Sequence, residues 1–169
     1  MKTYAAPWGK TLICISVILT ALCVGTSVVT PIMIPELKGA VRIATIWLPM
    51  VIPAGCLPFV IRSYAITDEA ILIRRLFWTT RIVRAGLKSA EVVADAMRGS
   101  IRTCGNGGGY SITGWFWSKR LGFYQAYVTD LKRTVVLRYV RKTVVLSPDS
   151  PEDFVRELGL SPRPACPRG

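Results

Sequence analysis

The sequence of 169 residues contains no histidine, and that absence restricts the chemistry it can perform. Without an imidazole the chain lacks the usual acid–base group near neutral pH, a histidine-oriented triad and a histidine-containing zinc site. Its five cysteines do not compensate, because no two of them have the C-x-x-C spacing of a metal knuckle or a dithiol redox site. The sequence therefore predicts a non-enzymatic protein without a metal or other cofactor.

Acidic residues are also scarce, since 10 Asp and Glu stand against 22 Lys and Arg and give a formal net charge of +12. At the same time, 51% of the residues are hydrophobic. A soluble domain of this size rarely combines the two properties, so we expect one part of the chain in lipid and another in water. The apolar content excludes a disordered chain, and the lack of a repeat excludes collagen-like and mucin-like classes.

Two uncharged apolar runs, at residues 11–30 and 43–61, hold most of the hydrophobic excess. As helices each would be about 30 Å long, which matches the hydrocarbon core of a bilayer. A cleaved signal peptide is the alternative for the first run, but a signal has an apolar region of only about 7–15 residues, and here a second run follows at once. Residues 1–61 are therefore predicted to form a two-helix transmembrane anchor.

The distribution of cations around the two runs predicts the orientation of this anchor. Six Lys and Arg residues lie on the terminal sides of the runs, whereas the connecting loop has only Lys38 and Arg42. Cytoplasmic segments are enriched in such cations. We therefore expect a multi-pass protein of the inner (plasma) membrane with both termini in the cytoplasm.

The remaining residues, 62–169, carry 18 Lys and Arg against nine Asp and Glu, and they are dominated by short β-type runs. Alternating and Val-rich patterns predict strands at 63–67, 70–74, 77–83, 123–129, 132–140 and 142–147. Residues 87–97 fit either a helix or a strand that is followed by a loop, and the strand with its loop is favoured. Ser150 as N-cap, Pro151 and Gly159 delimit a final helix. A disordered basic tail is expected at 160–169.

This order of elements resembles the bacterial pleckstrin-homology-like (PH-like) family that follows a membrane hairpin. The resemblance spans roughly residues 64–158 and is carried by Tyr64–Ile66, Ile71–Arg75, Gly105–Gly108, Gly114–Phe116, Leu121–Tyr124 and Ser147–Phe154. It implies a mainly-β PH-like barrel or sandwich at 62–159, partly open and closed at one end by the final, capping helix. Inositide-binding PH domains hold the headgroup with basic residues around the first hairpin. Here that turn is acidic, Asp68-Glu69, which argues against inositide recognition there.

Two motifs in the basic domain are candidates for a binding surface. The glycine-rich run Gly105, Asn106, Gly107, Gly108 could cradle an anion with successive backbone N–H groups, but it matches neither a dinucleotide-binding nor a P-loop motif, so a turn between strands is favoured. The run Trp115, Phe116, Trp117, Ser118, Lys119, Arg120 places three aromatic residues in succession beside two cations. On a strand, either Phe116 or the two tryptophans must face outward. Outward tryptophans would suit a membrane interface or a partner groove, whereas a core contact is the alternative.

These observations predict a membrane-anchored PH-like domain that binds a protein segment or the anionic membrane surface from the cytoplasmic side. The lipid bilayer is the expected partner. The sequence also allows a protein or peptide partner and oligomerisation. Nucleic acid is not an expected partner, because no motif supports it. The basic surface could also be solvated without a partner. The alternative is an accessory or regulatory subunit of a transport or envelope complex that acts through its transmembrane helices.

Overall fold

The computed structural model describes residues 2–36 and 38–159, in which a helical hairpin is combined with two β-sheets. The helices are α1 (Lys10–Met33), α2 (Gly39–Cys56) and α3 (Pro151–Glu157), and one 3₁₀ turn (Leu57–Phe59) follows α2. The strands are β1 (Lys2–Ala5), β2 (Ile61–Ile66), β3 (Ala70–Arg75), β4 (Thr79–Val83), β5 (Leu87–Val92), β6 (Ile101–Gly107), β7 (Ile112–Ser118), β8 (Gly122–Val128), β9 (Val135–Tyr139) and β10 (Thr143–Leu146). The tail predicted at 160–169 lies outside the described residues.

Helices α1 and α2 pack against each other and are long and apolar enough to span a membrane. At 1.5 Å per residue they measure about 36 Å and 27 Å. The second helix ends earlier than the predicted span of 43–61, because Pro58 has no N–H to donate and the chain tightens into the 3₁₀ turn. Ile61, counted in the predicted span, is the fully buried first residue of β2.

The two ends of the hairpin meet in one sheet. Strand β1 precedes α1, strand β2 follows α2, and the two pair antiparallel with Tyr4 opposite Tyr64. The sheet continues with β3 and β4 in the order β1-β2-β3-β4. Because β1 and β2 are hydrogen-bonded neighbours, the chain enters and leaves the hairpin on the same side. Strand β1 was not predicted from the sequence.

A second sheet has six strands in the order β5-β9-β10-β8-β7-β6, in which β8 and β10 run parallel and the other pairs run antiparallel. The sheets pack face to face around a core that includes Tyr64, Ile73, Leu137 and Leu146. Helix α3 closes this core with Phe154, whose ring centroid lies 5.1 Å from that of Tyr4 in β1. The two sheets form a PH-like sandwich and not a closed barrel, which confirms the predicted fold class.

The outer face of the six-stranded sheet forms a second core, and α1 contributes to it. Leu12, in the first turn of α1, is 1% exposed and packs in a cluster with Ile112, Val128 and Val145. Ala96 and Met97 cover the same cluster from the turn that follows β5. Residues 87–97 are therefore a strand followed by a turn, as the favoured interpretation had it. The hairpin and the sandwich consequently share buried side chains.

The predicted hairpins at 63–74 and 132–147 are confirmed as β2–β3 and β9–β10, and the predicted strands at 77–83 and 123–129 correspond to β4 and β8. The final helix is also confirmed. Ser150 occupies its N-cap position, but its side chain makes no capping hydrogen bond; its carbonyl accepts the Phe154 N–H instead, at 2.9 Å.

Candidate functional site

The glycine-rich run joins the sandwich to the hairpin. Strand β6 continues through Gly107, so only residues 108–111 form the connection to β7. Ser16 of α1 accepts a hydrogen bond from the Tyr110 N–H at 3.0 Å and donates one to the Gly108 carbonyl at 3.4 Å. The hydroxyls of Tyr110 and Thr20 are 2.7 Å apart. The loop therefore rests on the first three turns of α1.

The backbone N–H groups of this loop are already occupied. Those of Gly108 and Gly109 donate to the Asn106 Oδ1 at 3.2 and 3.0 Å, and that of Tyr110 donates to Ser16. An anion cradle needs free N–H groups that converge on one point. The arrangement argues against an anion cradle. The predicted turn is wrong for Gly105, Asn106 and Gly107, which continue β6, and of the run only Gly108 lies in the connection, which the Asn106 side chain closes and which packs on α1.

The aromatic run lies on strand β7, and its side chains alternate as the strand period requires. Phe116 is 6% exposed and stacks on Tyr124 with a centroid distance of 5.9 Å, whereas Trp115 is 46% exposed and Trp117 is half-buried. The tryptophans therefore lie on the opposite face of the sheet from Phe116 and the second core. Lys119 and Arg120 are exposed in the turn after β7, at the opposite end of that strand from the glycine-rich loop.

We call the end of the sandwich beside the hairpin the proximal end, and it contains a cleft of about 450 Å³. The cleft lies between the C-terminal end of α2, the last residue of β3 and the strands β6, β7 and β8. Its lining includes the side chains of Phe59, Arg75, Arg102, Asn106, Gln125 and Tyr127. Two of these carry a positive charge, and no acidic residue is among the described residues that line the cleft. This proximal cleft is thus a cationic site next to the hairpin.

Two glycines form part of the cleft where β6 and β7 approach closely. Gly105 pairs with Gly114, and both have positive φ, 115° and 138°. A Cβ at Gly105 would lie 2.7 Å from the Gly114 Cα, and a Cβ at Gly114 would lie 2.8 Å from the Gly105 Cα. Only residues without a Cβ permit this approach, and their lack of side chains leaves the space above them open.

Arg75 is held at the proximal cleft by three aromatic rings. Its Cζ lies 5.2 Å from the ring centroid of Tyr127, 5.5 Å from that of Trp78 and 5.6 Å from that of Phe59, which are cation–π distances. Its Nε is buried and has no hydrogen-bond partner within residues 2–36 and 38–159. Burial lowers the pKa of the Arg75 guanidinium, and the neighbouring hydroxyl of Tyr127 opposes that shift. Arg75 is therefore a partly desolvated cation without a counter-charge.

An exposed apolar turn lies beside the cleft. Residues 76–78 (Leu76, Phe77, Trp78), here called the proximal turn, connect β3 to β4, and Phe77 is 72% exposed. The Trp78 ring meets edge-on, at 5.5 Å, the ring of Phe59, which is the last residue of the 3₁₀ turn after α2. Three bulky apolar side chains in one exposed turn are unusual for a surface that faces only water.

A larger cavity, about 620 Å³, occurs elsewhere on the sandwich, but its two arginines already bind groups of the protein. It contains the acidic turn Asp68-Glu69. Arg81 forms an ion pair with Glu69 at 2.6 Å, and Arg84 donates to the backbone carbonyls of Thr67 and Leu158 at 3.1 Å each. This arrangement agrees with the expectation that the first hairpin turn is unsuited to an anionic headgroup.

Sequence reasoning missed the proximal cleft and the proximal turn. The cleft combines residues of α2, β3, β6, β7 and β8, which only the tertiary structure brings together. A signal was nevertheless present, because the segment Arg74-Arg75-Leu76-Phe77-Trp78 joins two arginines to three apolar residues close after the second span. No group of three or more Cys, Asp or Glu residues that could hold a metal occurs in the described part of the chain.

Comparison with known proteins identifies one family. The model of the bacterial PH domain family matches residues 62–160, which is more than half of the chain and covers β2 through α3. No curated protein and no solved structure matches.

Proposed function

The chain belongs to the bacterial PH domain family, and from that membership we propose that it is a non-enzymatic binding module held at the inner face of the plasma membrane by α1 and α2. PH domains are in general binding modules rather than catalysts. We further propose that the proximal end of the sandwich contacts the anionic lipid surface. The observation that carries this proposal is the exposed proximal turn next to the end of the hairpin and flanked by arginines.

The surface of the hairpin supports insertion into a membrane. Most of its large apolar side chains are exposed in the isolated chain, among them Val17, Leu22, Trp47 and Leu48. In water, an apolar surface extending along both helices would favour aggregation, whereas in lipid it is the expected one. The cation asymmetry around the two helices supports the cytoplasmic orientation of the domain.

Charge at the proximal end supports contact with anionic lipid. Arg62 at the start of β2 and Arg74 near the end of β3 are exposed, and no Asp or Glu lies between residues 70 and 84. A Lys or Arg near an anionic surface contributes about 1 kcal/mol. Phe77 and Trp78 suit the interface itself, where aromatic rings are enriched.

The test is hydrogen exchange of the full-length protein in nanodiscs. Backbone amides of residues 74–79 should exchange more slowly in discs with 30% phosphatidylglycerol than in phosphatidylcholine discs, and Arg62→Gln/Arg74→Gln should remove most of the difference. The matched control is Lys88→Gln/Arg141→Gln, which removes two exposed cations away from the proximal end. Equal exchange in the two kinds of disc would refute the surface contact.

The same experiment examines the aromatic–basic run. If Lys119 and Arg120 contact the lipid, the amides of residues 117–121 should become protected in the anionic discs. We expect no such protection, because that turn lies at the far end of β7 from the loop on α1. Protection at 117–121 without protection at 74–79 would move the lipid-facing surface to that turn.

A second candidate function is that of an accessory subunit that acts through its helices. It is favoured by a groove of about 530 Å³ between α1 and α2, which includes Thr26, Thr30, Ala40 and Ala44. Small and hydroxylated side chains allow close approach of another membrane helix. Co-purification of a membrane partner that is lost on Ala44→Leu, but kept by Arg62→Gln/Arg74→Gln, would favour this function over surface binding.

A further inference from the structure

We propose that the proximal cleft is a binding site for a phosphate-bearing group, held between the guanidinium groups of Arg75 and Arg102. The site lies apart from the first hairpin turn at Asp68-Glu69. This inference deepens the proposed function by naming the group that the proximal end would recognise. It depends on that function only for the source of the phosphate, not for the existence of the site.

The charge of the cleft selects an anion. Arg75 and Arg102 both line it, and no described acidic residue does. No ion pair to either arginine is found within residues 2–36 and 38–159. A half-buried cation usually has a carboxylate partner, and Arg75 has none among these residues, whereas Arg102 is exposed and adds a second positive charge to the cleft. Together the two arginines leave a charge that an anionic ligand can neutralise.

The geometry of Arg75 indicates how the ligand would be held. Its guanidinium is fixed among the rings of Phe59, Trp78 and Tyr127, which restricts its rotation and leaves fewer conformations to be lost on binding. Its Nε–H is buried and without an acceptor. The guanidinium is therefore incompletely solvated, and where Arg75 lines the cleft its planar fork suits the paired oxygens of a phosphate.

Arg102 also lines the cleft, and its guanidinium lies beside Gly107 of the same strand, which has no side chain. A Cβ at Gly107 would lie 2.5 Å from the Arg102 Nη1 and 3.1 Å from its Cζ, so the guanidinium occupies the space that any other residue would fill. The side chain of Arg102 is exposed and can adjust to a ligand. Gly105 and Gly114 also line the cleft and add no side chains to it.

The position of the cleft favours a phosphate over a carboxylate. It borders Gly55, Cys56 and Phe59, where the chain leaves α2, and the proximal turn lies next to it. In a membrane this level corresponds to the headgroup region, where phosphates are the principal anions. A volume of about 450 Å³ also accommodates a group larger than a simple ion. The phosphate can come from a lipid headgroup or from a soluble phosphate ester.

The test uses the full-length protein in micelles of a neutral detergent, so that no bilayer surface is present. The Arg75 Nε–H resonance is followed by NMR during titration with dihexanoyl phosphatidic acid in one arm and glycerol 3-phosphate in the other. We expect saturable shifts in at least one arm. Arg102→Gln should weaken that binding at least tenfold, and Arg75→Lys, followed through backbone resonances of β3, should do the same.

Arg98→Gln is the matched control, since it removes an exposed arginine that does not line the cleft. Binding of phosphatidic acid alone assigns the site to a lipid headgroup, and binding of both ligands or of glycerol 3-phosphate alone assigns it to phosphate esters in general. Binding in neither arm, or equal binding by Arg102→Gln and Arg98→Gln, overturns the proposal. The outcome of this titration does not affect the interpretation of the nanodisc experiment, because the substitutions used there lie outside the cleft.

Discussion

Replacing Ser16 with alanine should loosen the glycine-rich loop from α1 while leaving the sandwich folded. The Ser16 hydroxyl is 3% exposed and bonds to both the Tyr110 N–H and the Gly108 carbonyl. Alanine would leave these two backbone groups without that partner. A buried donor that loses its acceptor costs about 1–3 kcal/mol.

The same substitution also weakens the restraint on Tyr110. This residue has φ of 61°, in the left-handed region, which costs a residue with a Cβ about 1–2 kcal/mol. Its hydrogen bonds to Ser16 and Thr20 and its ring contact with Trp8, at 6.2 Å between centroids, hold it there. Without Ser16, opening of the loop should become easier by about 1–3 kcal/mol, which corresponds to roughly 5- to 150-fold more of the open form.

Hydrogen exchange measures this change directly, because amide protection reports the free energy of local opening. We expect a peptide covering residues 105–112 to exchange faster in Ser16→Ala by that factor, with little change in β9 and β10. Ser27→Ala is the control, since Ser27 is also buried in α1 but its hydroxyl donates only to the Cys23 carbonyl of its own helix, at 2.9 Å. If both variants exchange alike in residues 105–112, the loop is not held by α1 in the way described.

Two further predictions concern the stability of the sandwich. Gly114→Ala should lower the free energy of unfolding by at least about 2 kcal/mol, because Gly114 has φ of 138° and the new Cβ would meet the backbone of β6. Gly25→Ala is the control and should not lower it, since no atom lies within 4 Å of the new Cβ. Equal thermal midpoints for the two variants would contradict this prediction. Burial raises the pKa of Tyr64 to about 12 from an ordinary value near 10, so its stabilising contribution is complete below pH 10 and is lost as the pH rises through 12. Denaturant unfolding at pH 8 and pH 11 should therefore show the wild type losing about 1.4 kcal/mol more than Tyr64→Phe, and identical losses would refute the assignment.

The elements that the sequence predicted correctly are those with a local signal. The two helices of the hairpin correspond to long uncharged runs, the β2–β3 hairpin alternates around an acidic turn, and α3 begins with Ser150-Pro151 and ends before Gly159. Strand β1 has no such signal, because Lys2–Ala5 is four residues long with one buried side chain, and its partner strand lies across the whole helical hairpin. Pairing across that distance cannot be inferred from periodicity.

Prediction of the candidate site from the sequence is limited in the same way, because the site depends on contacts between separate strands. The sequence predicted that Phe116 and its two neighbouring tryptophans must face opposite ways, which is confirmed, but it could not assign the buried side. That choice depends on Tyr124, which lies on the adjacent strand and receives Phe116. In the sequence, nothing distinguishes Arg75 from the many other cations of the domain. Its three aromatic neighbours come from separate parts of the chain, so its unusual environment is a property of the tertiary structure alone.

The pairing of β1 with β2 also constrains the order of events when the protein is made. Residues 2–5 emerge from the ribosome well before residues 61–66, so the edge of the sheet stays incomplete until both helices have been synthesised. If the hairpin spans the membrane as proposed, a copy that inserted only one helix would hold β1 and β2 on opposite sides of the bilayer and could not close the sheet. Its N-terminal strand would remain open to proteases, with Tyr4 unburied. Completion of this edge thus distinguishes correctly inserted copies from defective ones.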